Sequence, residues 1–280
     1  MCGLILLDKP EGITSFTTVN RVRRALNYKK AGHTGTLDPL ATGVLPVLLG
    51  GATRFAQFLP SSRKAYLAGF QLGTTTTTLD ITGEVLQKRT VQATREDILT
   101  ALAPFRGKIL QVPPMVSALK KDGQRLYELA RQGIEIEREP RPVEIFALEL
   151  RSDELYIECS AGTYVRSLID DLGRALGCGA CMTTLRRVAA NGFDIAQCTP
   201  LDDIAQAPIF AIEDVFSCYP AVQVSAAQAT RFRNGGALDL SRTNITNPIE
   251  DELYRVMGED FLGLGRVQGE ELTIARLLIT

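Results

Sequence analysis

The first residues, Gly3–Leu7, form an unbroken apolar run that Asp8-Lys9-Pro10-Glu11-Gly12 stops, the pattern of a buried strand closed by a turn. Thr14 or Ser15 then stands at the start of a helix with Phe16, Val19, Val22 and Leu26 near one face and Arg21, Arg23 and Arg24 around the remainder. Ala31–Gly43, AGHTGTLDPLATG, is rich in glycine and threonine and reads as a loop. Ala52–Leu59 has a helical pattern, and Lys64–Leu72 alternates as a strand. Thr94 with Asp97 opens a helix in the manner of a capping box. A second helix at Gln124–Gln132 is closed by Gly133. Pro142–Leu150 and Glu154–Ser160 predict two strands, and Thr163–Leu176 a helix ended by Gly177. Strands and helices mixed without strict alternation predict an α+β fold with a mostly antiparallel sheet flanked by helices. Pro200, Pro208 and Pro220 punctuate the chain before a run of short strands at Ala221–Val224, Leu253–Met257, Phe261–Val267 and Leu272–Leu278. The expected organisation is a domain at 1–212 and a small β-rich one at 219–280.

A chain of 280 residues with 45% apolar and 22% charged residues has enough material for a substantial core, which excludes a disordered or disulfide-scaffold protein. No apolar run reaches the ~18–20 residues of a membrane helix, and the amino terminus has neither a basic leader nor a small-residue cleavage site, so a cytoplasmic protein is expected. The net charge of −1 hides an asymmetry: residues 1–66 hold nine Lys/Arg against Asp8, Glu11 and Asp38. A local balance of +6 suits phosphates, while the last 35 residues are acidic. Of the six cysteines only Cys178 and Cys181 have ligand spacing, and the chain has one histidine, so no metal is expected.

The loop Ala31–Gly43 concentrates the candidate chemistry. Asp38, stiffened by Pro39, shares it with His33, Thr34, Thr36 and Thr42, while Gly32, Gly35 and Gly43 would let a ligand approach the backbone. The loop lacks the lysine and spacing of a nucleotide-binding P-loop. These residues point to a ligand loop with one candidate carboxylate, and Asp38 could equally be a turn former.

The stretch Gly32–Leu45, GHTGTLDPLATGVL, closely resembles the signature of the bacterial tRNA pseudouridine synthase B (TruB) family. The likeness extends to Asp8–Ser15, Lys64-Ala65-Tyr66, Val112–Lys120, Gly123 through Gly133, Gly162–Leu168 and Leu185-Arg186-Arg187, in order over residues 8–187. The resemblance implies a pseudouridine synthase fold, a C-terminal PUA-like β-barrel and an RNA-gripping insertion at about 114–142. It implies the isomerisation of uridine to pseudouridine at position 55 in the T-loop of tRNA, by one chain with no guide RNA, no membrane and no cofactor; a monomer is expected.

Residue by residue, the resemblance makes Asp38 the catalytic carboxylate, which attacks the ribose C1′, adds to base C6, or takes a proton from C2′. Arg166 matches the arginine that pairs with it. Tyr66 and Tyr164 match aromatic residues lining the uracil pocket, Leu185 matches an apolar wall, and His33 matches an RNA contact. An extruded base costs a few kcal/mol to reach, which stacking offsets by ~1–3 kcal/mol. By the same resemblance Tyr66 is a candidate acceptor of the final proton. Lys9, Arg21, Arg23, Arg24, Lys120, Lys121 and Arg125 are candidate phosphate contacts. One position departs from the family pattern: Thr76–Gly83 keeps Asp80 and Gly83 but has Thr77 where an aspartate is usual.

Overall fold

The computed structural model describes residues 2–117, 119–121 and 123–279, with the side chains of Lys120, Lys121, Arg125 and Arg131 outside that description. An eleven-stranded mixed sheet runs in the order Thr199–Pro200, Gly3–Lys9, Thr42–Leu49, Ala180–Ala190, Lys64–Leu72, Glu154–Cys159, Arg141–Arg151, Gly107–Gln111, with three short strands beside this path. Only the pairs Gly3–Lys9 with Thr199–Pro200 and Thr42–Leu49 with Ala180–Ala190 are parallel. The expected α+β, mostly antiparallel architecture is therefore present. Among the described residues no helix is long and apolar enough to cross a membrane.

The first strand shows how the sheet is covered. With a side-chain period of two, Ile5 and Leu7 join Val19 and Val22 of helix Ser15–Ala25, while Leu4 and Leu6 face Phe55, Phe58 and Phe216. Helix Val165–Ala175 buries Leu168, Ile169 and Leu172 against Tyr66, Ala68, Leu155 and Ile157. The Thr94 capping box forms as expected, closing both backbone donors at the start of Arg95–Leu102.

Several expectations shift. Ala52–Leu59 is part of a 3-10 segment at Gly50–Phe58. Helix Gln124–Gln132 contracts to Leu126–Arg131, because Gln124–Arg125 pairs with Lys120–Lys121 in a small hairpin of its own. Phe16 is the clearest departure: it is 73% exposed, although its spacing places it with Val19 and Val22. It stands in the first turn of the helix, where Ser15 and Thr18 are the buried residues.

The carboxy-terminal residues form a five-stranded sheet, Ala221–Gln223, Leu253–Met257, Phe261–Gln268, Glu271–Leu277 and Leu238–Asp239 in spatial order, with helix Ala226–Arg233 against it. This curled sheet is consistent with the expected PUA-like unit. It is joined to the first sheet by a shared aromatic cluster: the Phe261 ring lies 6.0 Å from Phe55 and 6.4 Å from Phe216. Phe261→Ala should therefore cost about 3–5 kcal/mol, as large core truncations do. Urea unfolding should show this as a lowered midpoint of one transition. Two separate transitions, with the loss confined to one, would mean that the halves unfold independently.

Candidate active site

Asp38 lies on the connection between the short strand Ala31–His33 and the strand Thr42–Leu49, which pair antiparallel. A free loop would not hold a carboxylate in one place, and this one is tied from several sides. The Ser15 hydroxyl donates to the Leu37 carbonyl at 2.9 Å and accepts from the Leu37 N–H at 2.8 Å. The Gly12 N–H donates to the Pro39 carbonyl at 2.8 Å, so one neighbour of Asp38 is anchored to the start of helix Ser15–Ala25 and the other to the turn before it. On the other side, the fully buried Arg187 donates to the carbonyls of Val44 at 2.7 Å and Gly35 at 3.0 Å. Thr34 donates to Asn191 at 2.7 Å, and Arg186 bridges Asp8 at 2.7 Å and Thr42 at 3.3 Å. Gly43 is needed here: at φ 103° an added Cβ would collide with the Arg187 backbone, where the two strands meet.

Arg166, in the first turn of helix Val165–Ala175, is buried with its side chain 5% exposed, and its Nη2 sits 2.8 Å from Asp38 Oδ2. The same guanidinium donates to the carbonyls of Thr78 at 3.0 Å and Val116 at 2.9 Å, and its Nη1 lies 3.7 Å from Asp80 Oδ2. The planar fork thus spans two carboxylates and two carbonyls. Asp80 is itself fixed: its Oδ1 accepts from the Thr78 hydroxyl at 2.7 Å and the Thr82 N–H at 3.0 Å. The preceding Leu79 has φ 63°, which is unusual for a bulky residue, and Met182 and Leu79 backbones bond across this bend at 3.1 Å. The strained turn is what presents the Asp80 carboxylate to Arg166. Thr77 is exposed, and its hydroxyl accepts from the Glu84 N–H at 3.1 Å. The polar contacts to Arg166 from this stretch come instead from Thr78 and Asp80.

Asp38 is 39% exposed at its side chain, and among the described residues its Oδ1 receives no hydrogen bond. One oxygen is held by a cation, and the carboxylate stays partly exposed. Leu37, Ala41, Tyr66 and Val165 share one apolar cluster, against which Leu185 is partly buried. Tyr66 pairs directly with Arg187 across the sheet. Burial pushes its phenol above the usual tyrosine range, with the Arg187 guanidinium pulling the other way. Tyr164 caps the Arg166 helix and is fastened by reciprocal bonds to Gln111 of 2.8 and 3.0 Å, and burial raises its phenol too. His33 stands half-buried at the other end of the loop, where burial and the Arg187 and Lys64 charges lower its pKa. Its ring is therefore neutral at physiological pH.

The structure corrects Lys9. It is fully buried, and its ammonium donates to the carbonyls of Pro10 at 2.7 Å and Ile13 at 2.8 Å, so it holds the turn that anchors Pro39 and is no surface phosphate contact. Burial pushes its pKa from 10.5 down to about 8, against the opposing pull of Asp38. Between those values the unfolded chain binds more protons than the folded one, so this group adds stability as pH rises through the window. In urea unfolding between pH 8 and 10.5, wild type should gain on Lys9→Met by about 2–3 kcal/mol. Parallel pH curves for the two proteins would remove the strained ammonium.

Arg21 and Arg24 are exposed and Arg23 half-buried on helix Ser15–Ala25, while the side chains of Lys120, Lys121 and Arg125 lie outside the described residues. The root of the 114–142 segment is tied to the site, since Val116 accepts from Arg166 and Val112 from Ser167 at 3.0 Å. Four positions that border the Asp38 loop or Arg166 escape a reading of candidate residues alone: Ser15, Asp80, Arg187 and Lys64. Each lies inside a stretch that carries the family likeness, which is the signal that could have found it. Lys64 leaves its strand on the face of Tyr66, two residues on, and its Nζ would stand 3.1 Å from a Cβ at Gly35. Among the described residues it has no hydrogen-bond acceptor and no carboxylate partner. With Lys9 and Arg187 it gives the loop a positively charged floor.

Comparison with known proteins places the chain in a family. The N-terminal domain model of TruB family pseudouridylate synthases matches residues 23–165, the tRNA pseudouridylate synthase B C-terminal domain matches 166–218, and the C-terminal model of pseudouridine synthase II TruB matches 220–279. A tRNA pseudouridine synthase B from Clostridium kluyveri is 41% identical over 290 residues, covering 100% of both chains. One from Stutzerimonas stutzeri is 55% identical over 207 residues, 72% of this chain and 68% of its own. Among solved structures, a chain of a Cbf5–Nop10–Gar1 complex superposes with a TM-score of 0.74 at 26% identity, covering 99% of this chain and 85% of that one. With three family models covering the chain from residue 23 to 279 and full-length relatives above 40% identity, the chain belongs to the TruB family of pseudouridylate synthases.

Proposed function

We propose that this chain isomerises uridine to pseudouridine in tRNA, at position 55 of the T-loop, acting as a single chain without a guide RNA. The observation that carries the reading is the Asp38–Arg166 pair at 2.8 Å, on a loop tied at Leu37 and Pro39 and opening beside Tyr66 and Leu185. Curated relatives of the whole chain bear the name tRNA pseudouridine synthase B. The substrate base must leave the RNA stack for its glycosidic bond to reach the Asp38 carboxylate. Tyr66 and Leu185 then form the apolar slot for the uracil, and Tyr164 closes it from the helix end. The Lys64 ammonium meets the phosphodiester backbone, which approaches where Gly35 has no side chain, while the buried Arg187 holds the loop beneath it.

In the reaction the N1–C1′ bond breaks, the uracil turns, and a C5–C1′ bond forms. The proton on C5 is released, and N1 gains one. Asp38 Oδ1 is free for attack on C1′, addition to C6 or removal of the C2′ proton, while Arg166 keeps the carboxylate in one rotamer. The Tyr66 phenolate is the candidate acceptor of the C5 proton: burial opposes that form, and the Arg187 guanidinium favours it. No residue here requires a metal or cofactor for this balance, since no electrons leave the substrate. The domain boundary near 212–219 and the insertion at 114–142 belong to the same proposal, the latter as the element that grips the T-arm.

The test is tritium release from tRNA transcript carrying 5-³H-uridine, with the product mapped. Stoichiometric release from one T-loop uridine is expected. Tight tRNA binding without release would favour a module that folds or holds tRNA, and release from a different uridine would overturn the position.

A further inference from the structure

Gln111 ends the edge strand Gly107–Gln111, is 2% exposed, and has so far been given no part in the reaction. We propose that Gln111 is a positioning residue for the isomerisation: its carboxamide sets the start of helix Val165–Ala175 and, through it, the place of Arg166 against Asp38. The assignment rests on the isomerase reading above and adds a residue to it.

A buried amide has to satisfy its polar atoms, and Gln111 directs both ends of its own to one residue. The Oε1 accepts from the Tyr164 N–H at 2.8 Å, and the Nε2 donates to the Tyr164 carbonyl at 3.0 Å. Because the N–H can only donate and the carbonyl only accept, one orientation of the amide makes both bonds. Two bonds to the same residue fix its rotation as well as its distance. Tyr164 is the N-cap of the helix, a place usually taken by Ser, Thr, Asp or Asn, whose side-chain oxygen closes the first turn. Tyr164 makes no such bond. The helix start is therefore held from outside, by a strand that precedes it in the chain.

What that start carries is Arg166, two residues on. The Tyr164 carbonyl held by Gln111 also accepts from the Leu168 N–H at 3.2 Å, so the clamp and the first helical turn share an atom. Beyond it the helix is packed by Leu168, Ile169 and Leu172, and apolar contact is non-directional. Such packing keeps the helix on the sheet without setting a guanidinium to a fraction of an ångström. Two further ties follow Gln111 in the chain: the Val112 carbonyl accepts from the Ser167 hydroxyl at 3.0 Å, and the Val116 carbonyl from Arg166 at 2.9 Å. Both lie past the end of the strand. Gln111 is the tie anchored in the sheet, where its backbone pairs with Arg141.

The test is tritium release from 5-³H-uridine tRNA by two variants of the full chain. Gln111→Met keeps the length and bulk of the side chain and removes both bonds. Gln111→Glu keeps the acceptor for the Tyr164 N–H and turns an oxygen toward the Tyr164 carbonyl. Each should lower kcat about five- to thirty-fold, short of the ~10²-fold of an ångström's misplacement because the Val112 and Val116 ties remain. KM for tRNA should stay within about threefold. A purely structural role would lower the urea midpoint and leave kcat of the folded enzyme alone. Added to Arg166→Lys, Gln111→Met should cost no more than about twofold further, since the lysine has already lost the geometry that Gln111 maintains. A kcat loss below about fivefold, a loss confined to KM, multiplicative losses in the double variant, or failure of both single variants to fold would each overturn the assignment. A wild type that releases no tritium would sink the isomerase reading and this assignment together. A releasing wild type matched by both Gln111 variants would sink the assignment alone.

Discussion

Asp38→Asn should release tritium from 5-³H-uridine tRNA at least about 10⁴-fold more slowly than wild type, with tRNA affinity unchanged within a few-fold. The substitution is nearly isosteric, and the amide oxygen can take the place of Oδ2 on Arg166, so the loop keeps its anchors at Leu37 and Pro39. What disappears is the ionised oxygen that Arg166 does not hold. Each of the three routes open to Asp38 needs that oxygen as a nucleophile or a base, and an amide is neither. Binding should survive because the groups proposed to hold RNA, Tyr66, Lys64 and the cations of helix Ser15–Ala25, are untouched. Removing an anion beside the RNA backbone would, if anything, tighten the complex slightly. Turnover within tenfold of wild type would return Asp38 to the role of a turn residue.

The parts of this molecule that were legible in its sequence are those in which a local rule and the tertiary environment agree. The strand Lys64–Leu72 has the predicted bounds, and it pairs with Glu154–Cys159 in one unbroken register. The neighbouring strand Ala180–Ala190 was not legible. Two bulges, at Met182/Thr184 and Arg187/Ala189, break its period, and one of its fully buried residues is an arginine. Helix Ala226–Arg233 was also missed within a stretch read as β-rich, although its Ser225–Gln228 capping box is written in the sequence.

Lys9 and Phe16 failed in opposite senses: a charged side chain points inward to tie a turn, and an aromatic one points outward. In both cases the next layer of structure decides, and periodicity carries no information about it. Asp38 and Arg166, 128 positions apart in sequence, meet only because helix Val165–Ala175 packs over the strand that bears Tyr66. No spacing rule reaches that far. Family likeness is the sequence signal that paired them, and the 2.8 Å contact supplies the geometry.

Arg166→Lys should lower kcat by about 10²-fold while moving KM little, because a misplacement of the reacting group by an ångström carries a penalty of that size. The charge is conserved in this variant, and the geometry is not. Arg166 spans Asp38, Asp80 and the carbonyls of Thr78 and Val116 with two terminal nitrogens on a rigid plane. A lysine has one nitrogen on a shorter, flexible stem and cannot reach both carboxylates and both carbonyls together. It should settle on the more enclosed side, with Asp80, leaving the Asp38 carboxylate free to change rotamer.

The companion variant Asp80→Asn keeps the Thr78 and Thr82 contacts but removes the second negative charge from the guanidinium. If Asp80 acts through Arg166, the double variant should be little worse than Arg166→Lys alone, since both changes release the same fork. Multiplicative losses would mean that Asp80 serves the reaction by another route. A full-speed Arg166→Lys enzyme would show that a positive charge near Asp38 is sufficient. The planar arginine would then owe its place to the two carbonyls, Thr78 and Val116, that it joins across the cleft.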